Sequence, residues 1–108
     1  MYGTTNNSQL NEILAALKSA LNPKKVYLFG SRARGDFHDE SDYDFVLIVG
    51  DQFKDKRERR EIAYEALKNI KPNTDFFIYT QAEFDEWKDE LSSIPETALR
   101  QGRELELG

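Results

Sequence analysis

Apolar residues along this chain follow two spacings, one typical of helices and one typical of strands. Spacing of three or four residues predicts a first helix capped by Ser8 and ended at Asn22-Pro23, then helices over 54–69, 81–91 and 94–100. Continuous apolar runs predict strands over 26–29, 43–49 and 75–79, with a short edge strand over 103–107. The first seven residues, rich in Thr and Asn, predict a flexible terminus. The order α-β-β-α-β-α-α predicts an α/β (α+β) domain, a small mixed sheet flanked by helices.

Length and composition limit the class of protein. The 108 residues predict one domain over 1–108, without internal repeats. The absence of cysteine excludes disulfides and thiolate metal sites, and the single histidine, His38, excludes a multi-histidine site. No apolar run is long enough for a membrane span and the polar start is unlike a signal peptide, so we expect a cytoplasmic protein without a membrane partner.

The charge balance argues against dedicated nucleic-acid binding. Fifteen Lys and Arg residues against 20 Asp and Glu residues leave a net charge of −5, whereas nucleic-acid binders neutralise phosphates with a basic surface. In the run Lys54–Arg60 the acidic residues Asp55 and Glu58 are interleaved with basic ones, which indicates a solvated helix face. Phe84, Trp87 and Leu91 share a helical spacing that indicates core or a partner surface. An acidic chain can nevertheless bind a nucleotide through Mg²⁺, which bridges carboxylates and phosphates.

Two short motifs carry the candidate chemistry. Gly30-Ser31 follows an apolar strand directly, where backbone N–H groups and a hydroxyl can approach a phosphate closely. Asp42 and Asp44 are two residues apart at the start of the next strand, so both carboxylates project from one face. Asp75 opens the third strand and can lie beside them. Three such carboxylates are suited to holding two metal ions about 4 Å apart.

The spacing of these motifs resembles that of a known family. Gly30-Ser31, ten residues and Asp42-Tyr43-Asp44 are similar to the GS-x10-DxD signature of the DNA polymerase β-like nucleotidyltransferases. The strings GSRARG and SDYDFVLIV resemble more closely the minimal nucleotidyltransferases, the MNT group. The resemblance covers nearly the whole chain and implies the polymerase β-like nucleotidyltransferase fold.

The resemblance also implies a role for each matching residue. Gly30 and Ser31 would bind the β- and γ-phosphates of a nucleoside triphosphate, and we expect Arg32 and Arg34 to contact phosphate as well. The acidic residues Asp42, Asp44 and Asp75 would ligate Mg²⁺, with two ions expected. Asp75 would in addition help to deprotonate the acceptor hydroxyl.

The implied reaction is transfer of AMP from ATP to a hydroxyl, with pyrophosphate as the leaving group. MNT proteins act as antitoxins that adenylylate a tyrosine of a partner HEPN-domain ribonuclease toxin. An alternative is a non-catalytic antitoxin that neutralises its partner by stoichiometric binding. Modification of a small molecule is disfavoured because 108 residues leave little chain to recognise an acceptor. The acceptor, the base and the state of homo- or hetero-oligomerisation stay open.

Overall fold

Ten helical and strand elements follow one another along the part of the chain that the structure describes. The computed structural model describes residues 4–35, 42–70 and 73–106, so His38 and Ser41 lie outside the described residues. The elements are α1 (Thr4–Leu21), β1 (Lys25–Phe29), α2 (Ser31–Arg34), β2 (Tyr43–Val49), a 3₁₀ turn (Asp51–Phe53), α3 (Lys56–Leu67), β3 (Thr74–Thr80), α4 (Gln81–Trp87), α5 (Ile94–Gln101) and β4 (Arg103–Glu104).

The four strands form one mixed sheet in the order β3-β2-β1-β4. β1 is antiparallel to both β2 and β4, whereas β3 is parallel to β2. A parallel neighbour needs a crossover connection, and α3 supplies it between β2 and β3. The sheet is therefore small, mixed and flanked by helices, as the sequence predicted, and β3 forms one of its two edges.

Helices cover both faces of this sheet. On one face, Tyr43, Phe45, Leu47 and Val49 of β2 pack in a core with residues of α1 and α3, among them Ile13, Leu17, Ala63 and Leu67. On the other face, Val46 and Ile48 pack with Tyr27, Phe84 and Ala98, residues of β1, α4 and α5. Because β2 is buried on both sides, its sequence is a continuous apolar run after Asp44.

The structure differs from the prediction at the first and fourth helices. α1 begins at Thr4, so Ser8 lies inside the helix and does not cap it. Thr and Asn have only modestly unfavourable helix propensities, and the long amphipathic helix that follows accommodates them. α4 ends at Trp87, whose carbonyl accepts a hydrogen bond from the Ser93 hydroxyl at 2.6 Å; Ser92 then adopts a positive φ of 69°, and the Ser93 side chain caps α5. Leu91, predicted to lie in that helix, is 82% exposed.

The predicted solvated face of the third helix is wrong at one residue. Arg59 is only 3% exposed. Its Nη2 atom donates to the carbonyl oxygen of Ile78 at 2.7 Å and to Glu83 Oε1 at 2.8 Å. The helix begins at Lys56, after Asp55, whose side chain accepts a hydrogen bond from the backbone N–H of Glu58. Arg59 thus ties α3 to the outer side of β3 and to the first turn of α4.

Candidate active site

Parallel pairing of β2 and β3 brings two of the predicted acidic residues side by side. Asp44 lies directly opposite Asp75 in the register of the two strands. Asp44 is followed on the same face of β2 by Val46 and Ile48, which enter the core. Asp42, just before β2, and Asp75 are both exposed, whereas Asp44 is partly buried. The site lies at the end of the sheet where β2 and β3 begin.

The proximity of the two carboxylates changes the protonation of Asp44. The pKa of Asp44 is raised from 3.8 to about 6, chiefly by burial and in addition by the charge of Asp75, a hydrogen bond with Asp75 and the charge of Asp42. The charge of Arg34 acts in the opposite direction on the same pKa. The two carboxylates therefore repel each other when both are ionised, and protonation of Asp44 relieves this repulsion.

Gly30 admits the Asp44 carboxylate to the site. Its backbone has φ 78° and ψ −157°, a region that only glycine occupies readily. A Cβ atom added there would overlap Oδ2 of Asp44. Gly30 is thus required by a contact within the chain, in addition to the close phosphate approach expected from the sequence. Ser31 follows immediately as the first residue of α2, whose Ala33 and Arg34 N–H groups both donate to the Gly30 carbonyl at 3.1 Å.

The two arginines of α2 occupy different environments. Arg32 is 2% exposed, and its guanidinium carbon lies 4.2 Å from the centre of the Tyr43 ring. Tyr43 belongs to the core on the opposite face of the sheet from Asp44. Arg34 is exposed and close enough to Asp44 to influence its pKa. The structure therefore places Arg34 at the acidic site and Arg32 away from it, as expected for helical residues two positions apart.

Comparison with known families agrees with this geometry. Residues 11–94 match the protein family described as "Polymerase beta, Nucleotidyltransferase". The chain belongs to this family. The matched range includes Gly30, Ser31 and all three acidic residues of the candidate site.

Similar individual proteins support the family assignment of this nucleotidyltransferase domain. A protein of Methanocaldococcus jannaschii named "Putative protein adenylyltransferase MJ0604" is 54% identical over 44 residues, which are 39% of this chain and 43% of that protein. The match thus spans less than half of the relative's length. A crystal structure of "a putative nucleotidyltransferase from Sulfolobus solfataricus" is 28% identical, with a TM-score of 0.55, over 82% of this chain and 85% of that one.

A third comparison shows the fold alone. A crystal structure of a toxin–antitoxin with AMP-PNP has a TM-score of 0.61 and 23% identity to this chain, over 87% of this chain and 69% of that one. With the family match, it establishes the polymerase β-like nucleotidyltransferase fold. Within the described residues, no helix is both long enough and apolar enough to cross a membrane.

The donor chemistry of the nucleotidyltransferase site suits Mg²⁺. Asp44 and Asp75 offer adjacent carboxylate oxygens, the ligand type that this ion prefers, and a divalent cation would relieve their repulsion. Asp42 lies two residues before Asp44, immediately before β2, and its charge acts on the pKa of Asp44. Across 4–35, 42–70 and 73–106, however, no three acidic or histidine side chains converge in a group that could hold a metal ion. The carboxylate donors therefore suit Mg²⁺ in their chemistry, and Asp44 and Asp75 are the two that contact each other.

Sequence reasoning missed the wall of the site formed by α3. A cavity of about 490 Å³ is lined by Asp42 and Asp75 together with Arg60, Tyr64 and Phe76. Arg60 and Tyr64 are four residues apart, so they lie on one face of α3. That spacing was visible in the sequence, but only the crossover between β2 and β3 shows which strand the face lies against.

Proposed function

We propose that this nucleotidyltransferase domain transfers AMP from ATP, with two Mg²⁺ ions, to a tyrosine hydroxyl of a HEPN-domain toxin in the cytoplasm, and so acts as an antitoxin. The observation that carries the proposal is the Asp44–Asp75 pair in register beside Gly30-Ser31. A relative named as a protein adenylyltransferase supports a protein acceptor. A toxin–antitoxin neighbour that contains AMP-PNP supports the nucleotide and the class of partner.

The exposed carboxylate of Asp75 is positioned to receive the proton of the acceptor. In the proposed reaction, the acceptor oxygen forms a bond to the α-phosphorus, and the bond from that phosphorus to the β-phosphate oxygen breaks. Pyrophosphate leaves with those electrons, and the hydroxyl proton passes to Asp75. When bound to Asp42, Asp44 and Asp75, Mg²⁺ would neutralise phosphate charge and lower the pKa of the acceptor hydroxyl.

The phosphate side of the site is proposed to consist of Gly30, Ser31 and Arg34. Gly30 leaves room beside Asp44, and Arg34 adds a cation near the same carboxylate. Arg34→Ala is expected to weaken binding of Mg–ATP by about tenfold, the loss of one charged hydrogen bond. Arg32→Ala is expected to lower thermal stability, because Arg32 is buried on Tyr43, and to leave nucleotide affinity of the folded protein within about twofold. Equal losses of affinity in the two variants would contradict this assignment.

Transfer itself is tested with α-labelled ATP, Mg²⁺ and the purified product of the neighbouring gene. Label is expected on the partner with the wild type and not with Asp44→Asn or Asp75→Asn, and mass spectrometry of the labelled peptide should place AMP on a tyrosine. Asp89→Asn, an exposed change outside the site, is the matched control and should label like the wild type. Absence of label with the wild type, or equal label with all variants, would rule out the reaction.

A non-catalytic antitoxin is the second candidate. It is favoured by one observation, that the carboxylates within the described residues do not converge as a complete metal site. A binding antitoxin should still block its partner when Asp42 and Asp44 are both replaced by Ala. A transferase should lose that protection, provided that the variant still forms the complex in size-exclusion chromatography.

A further inference from the structure

The outer edge of β3 offers free backbone groups for pairing. Tyr43 N–H donates to the Asn73 carbonyl at 3.2 Å, which sets the alternation: residues 73, 75, 77 and 79 pair with β2, and residues 74, 76, 78 and 80 point away from it. Arg59 binds the Ile78 carbonyl, and Glu83 Oε1 accepts from Thr80 N–H at 2.9 Å. Between these covered groups and Asp75, the backbone N–H and carbonyl of Phe76 have no hydrogen-bond partner within the described residues.

A groove runs along this free edge to the acidic site. Three cavities of about 420, 800 and 490 Å³ adjoin one another, and Arg60 and Phe76 line all three. Trp87 lies at one end of the groove, and Asp42 and Asp75 lie at the other. A chain lying in the groove would therefore reach the carboxylate that is proposed to receive the acceptor proton.

The two walls of the groove differ in chemistry. On the α3 side, Arg57 pairs with Glu61, Lys68 pairs with Glu65, and the buried Arg59 pairs with Glu83. Among the described residues that line the groove, Lys56 and Arg60 are the cations that form no ion pair, although the charge of Lys56 also acts on Glu83. Lys56 and Arg60 are therefore the cations of this wall with which an acidic side chain of a partner could pair.

The wall on the α4 side is apolar. Phe77 is 37% exposed and Trp87 is 47% exposed, both unusually open for such large side chains. Phe77 lies on the sheet face opposite to α3, 5.9 Å from the Phe29 ring between centroids. A strand added to the edge of β3 would point successive side chains alternately toward these two walls.

From these features we infer that the groove is the docking site of the acceptor: an extended polypeptide segment of the partner, alternating acidic and apolar, that adds to the edge of β3 and presents its hydroxyl at Asp75. The free N–H and carbonyl of Phe76 specify a peptide backbone. Arg60 and Lys56 attract the acidic side chains, while Phe77 and Trp87 cover the apolar ones. This inference rests on the proposed function, since it identifies where that reaction would take its acceptor.

The test measures peptide binding without ATP or metal, so its outcome is independent of transfer. The probe is a fluorescently labelled peptide of about eight residues, a usual strand length, with alternating Glu and Val and one Tyr. Its control has the same composition, with all Glu residues before all Val residues. We expect the alternating peptide to bind at least about tenfold more tightly in anisotropy titrations and to slow amide exchange at Phe76.

Charge reversal in the groove provides the second comparison. Arg60→Glu should weaken binding of the alternating peptide by about tenfold, because a paired charge becomes a repelling one. Lys24→Glu changes the net charge equally at an exposed position outside the groove and should leave the affinity unchanged. Equal binding of the two peptides, no binding, or no effect of Arg60→Glu would each overturn the inference. Tighter binding of a single-stranded oligonucleotide, or self-association of the protein that Arg60→Glu abolishes, would instead assign the groove to nucleic acid or to a second copy.

Discussion

Replacing Asp44 with asparagine should stabilise the protein while abolishing the proposed transfer of AMP. In the folded chain the pKa of Asp44 is raised from 3.8 to about 6, chiefly by burial and by Asp75, so the folded state holds this proton more tightly than the unfolded state. Stability is then greatest when Asp44 is protonated and falls as the pH rises from about 4 through about 6. Asparagine resembles the protonated carboxyl in shape and charge, so the variant should avoid this loss.

The size of the effect follows from the shift in pKa. A change from 3.8 to about 6 corresponds to roughly 3 kcal/mol by linkage above pH 7. Asp44 is only partly buried, so solvent screening reduces the expected gain to about 1–2 kcal/mol. For a domain of this size, that gain raises Tm by roughly 5–10 °C.

The assay is thermal unfolding of the metal-free protein between pH 4 and pH 8, compared with Asp89→Asn as an exposed control. The difference in Tm between Asp44→Asn and the wild type should be largest above pH 7 and shrink toward pH 4. Calorimetric titration at neutral pH should show that Asp44→Asn binds Mg–ATP weakly or not at all. A Tm at or below that of the wild type above pH 7, or a difference that does not depend on pH, would refute the electrostatic account of this pair.

Two further predictions compare matched substitutions by denaturant unfolding. Gly30→Ala should cost roughly 2–4 kcal/mol, because it adds a collision with Asp44 to a backbone conformation that only glycine occupies readily. Gly35→Ala should cost about 1 kcal/mol, because Gly35 has the left-handed conformation (φ 87°, ψ 3°) and open space around it. Equal costs would contradict this account of Gly30. Arg59→Ala should cost roughly 2–4 kcal/mol, since it leaves a buried carbonyl and a carboxylate unpaired, and Arg57→Ala, at an exposed ion pair, should cost less than about 0.5 kcal/mol. A small effect of Arg59→Ala would show that water replaces the arginine.

Much of the fold was predictable because its signals are local. The continuous apolar run of β2 and the spacing of α1 and α3 are properties of neighbouring residues, and they predicted these elements within a few positions. The Gly30-Ser31 and Asp42-Tyr43-Asp44 motifs were visible for the same reason, since each occupies a single turn or strand start. Two-residue alternation also explains why Val46 and Ile48 continue the face of Asp44 into the core.

Element ends were less predictable, because they depend on contacts made elsewhere. The spacing of Phe84, Trp87 and Leu91 would continue a helix, yet the turn at Ser92 and the cap at Ser93 end α4 early and leave Leu91 exposed. The spacing of apolar residues does not show where contacts with another element will end a helix.

The sequence by itself therefore determined the elements, the family resemblance and the residue types of the candidate site. Tertiary structure alone decided how they combine: parallel pairing put Asp75 opposite Asp44, the crossover of α3 buried Arg59 against β3, and Gly30 proved to make room for a carboxylate. The physical reason is distance along the chain. Periodicity and turn chemistry act over a few residues, whereas strand register, the raised pKa of Asp44 and the burial of a charge depend on residues 14 to 31 positions apart.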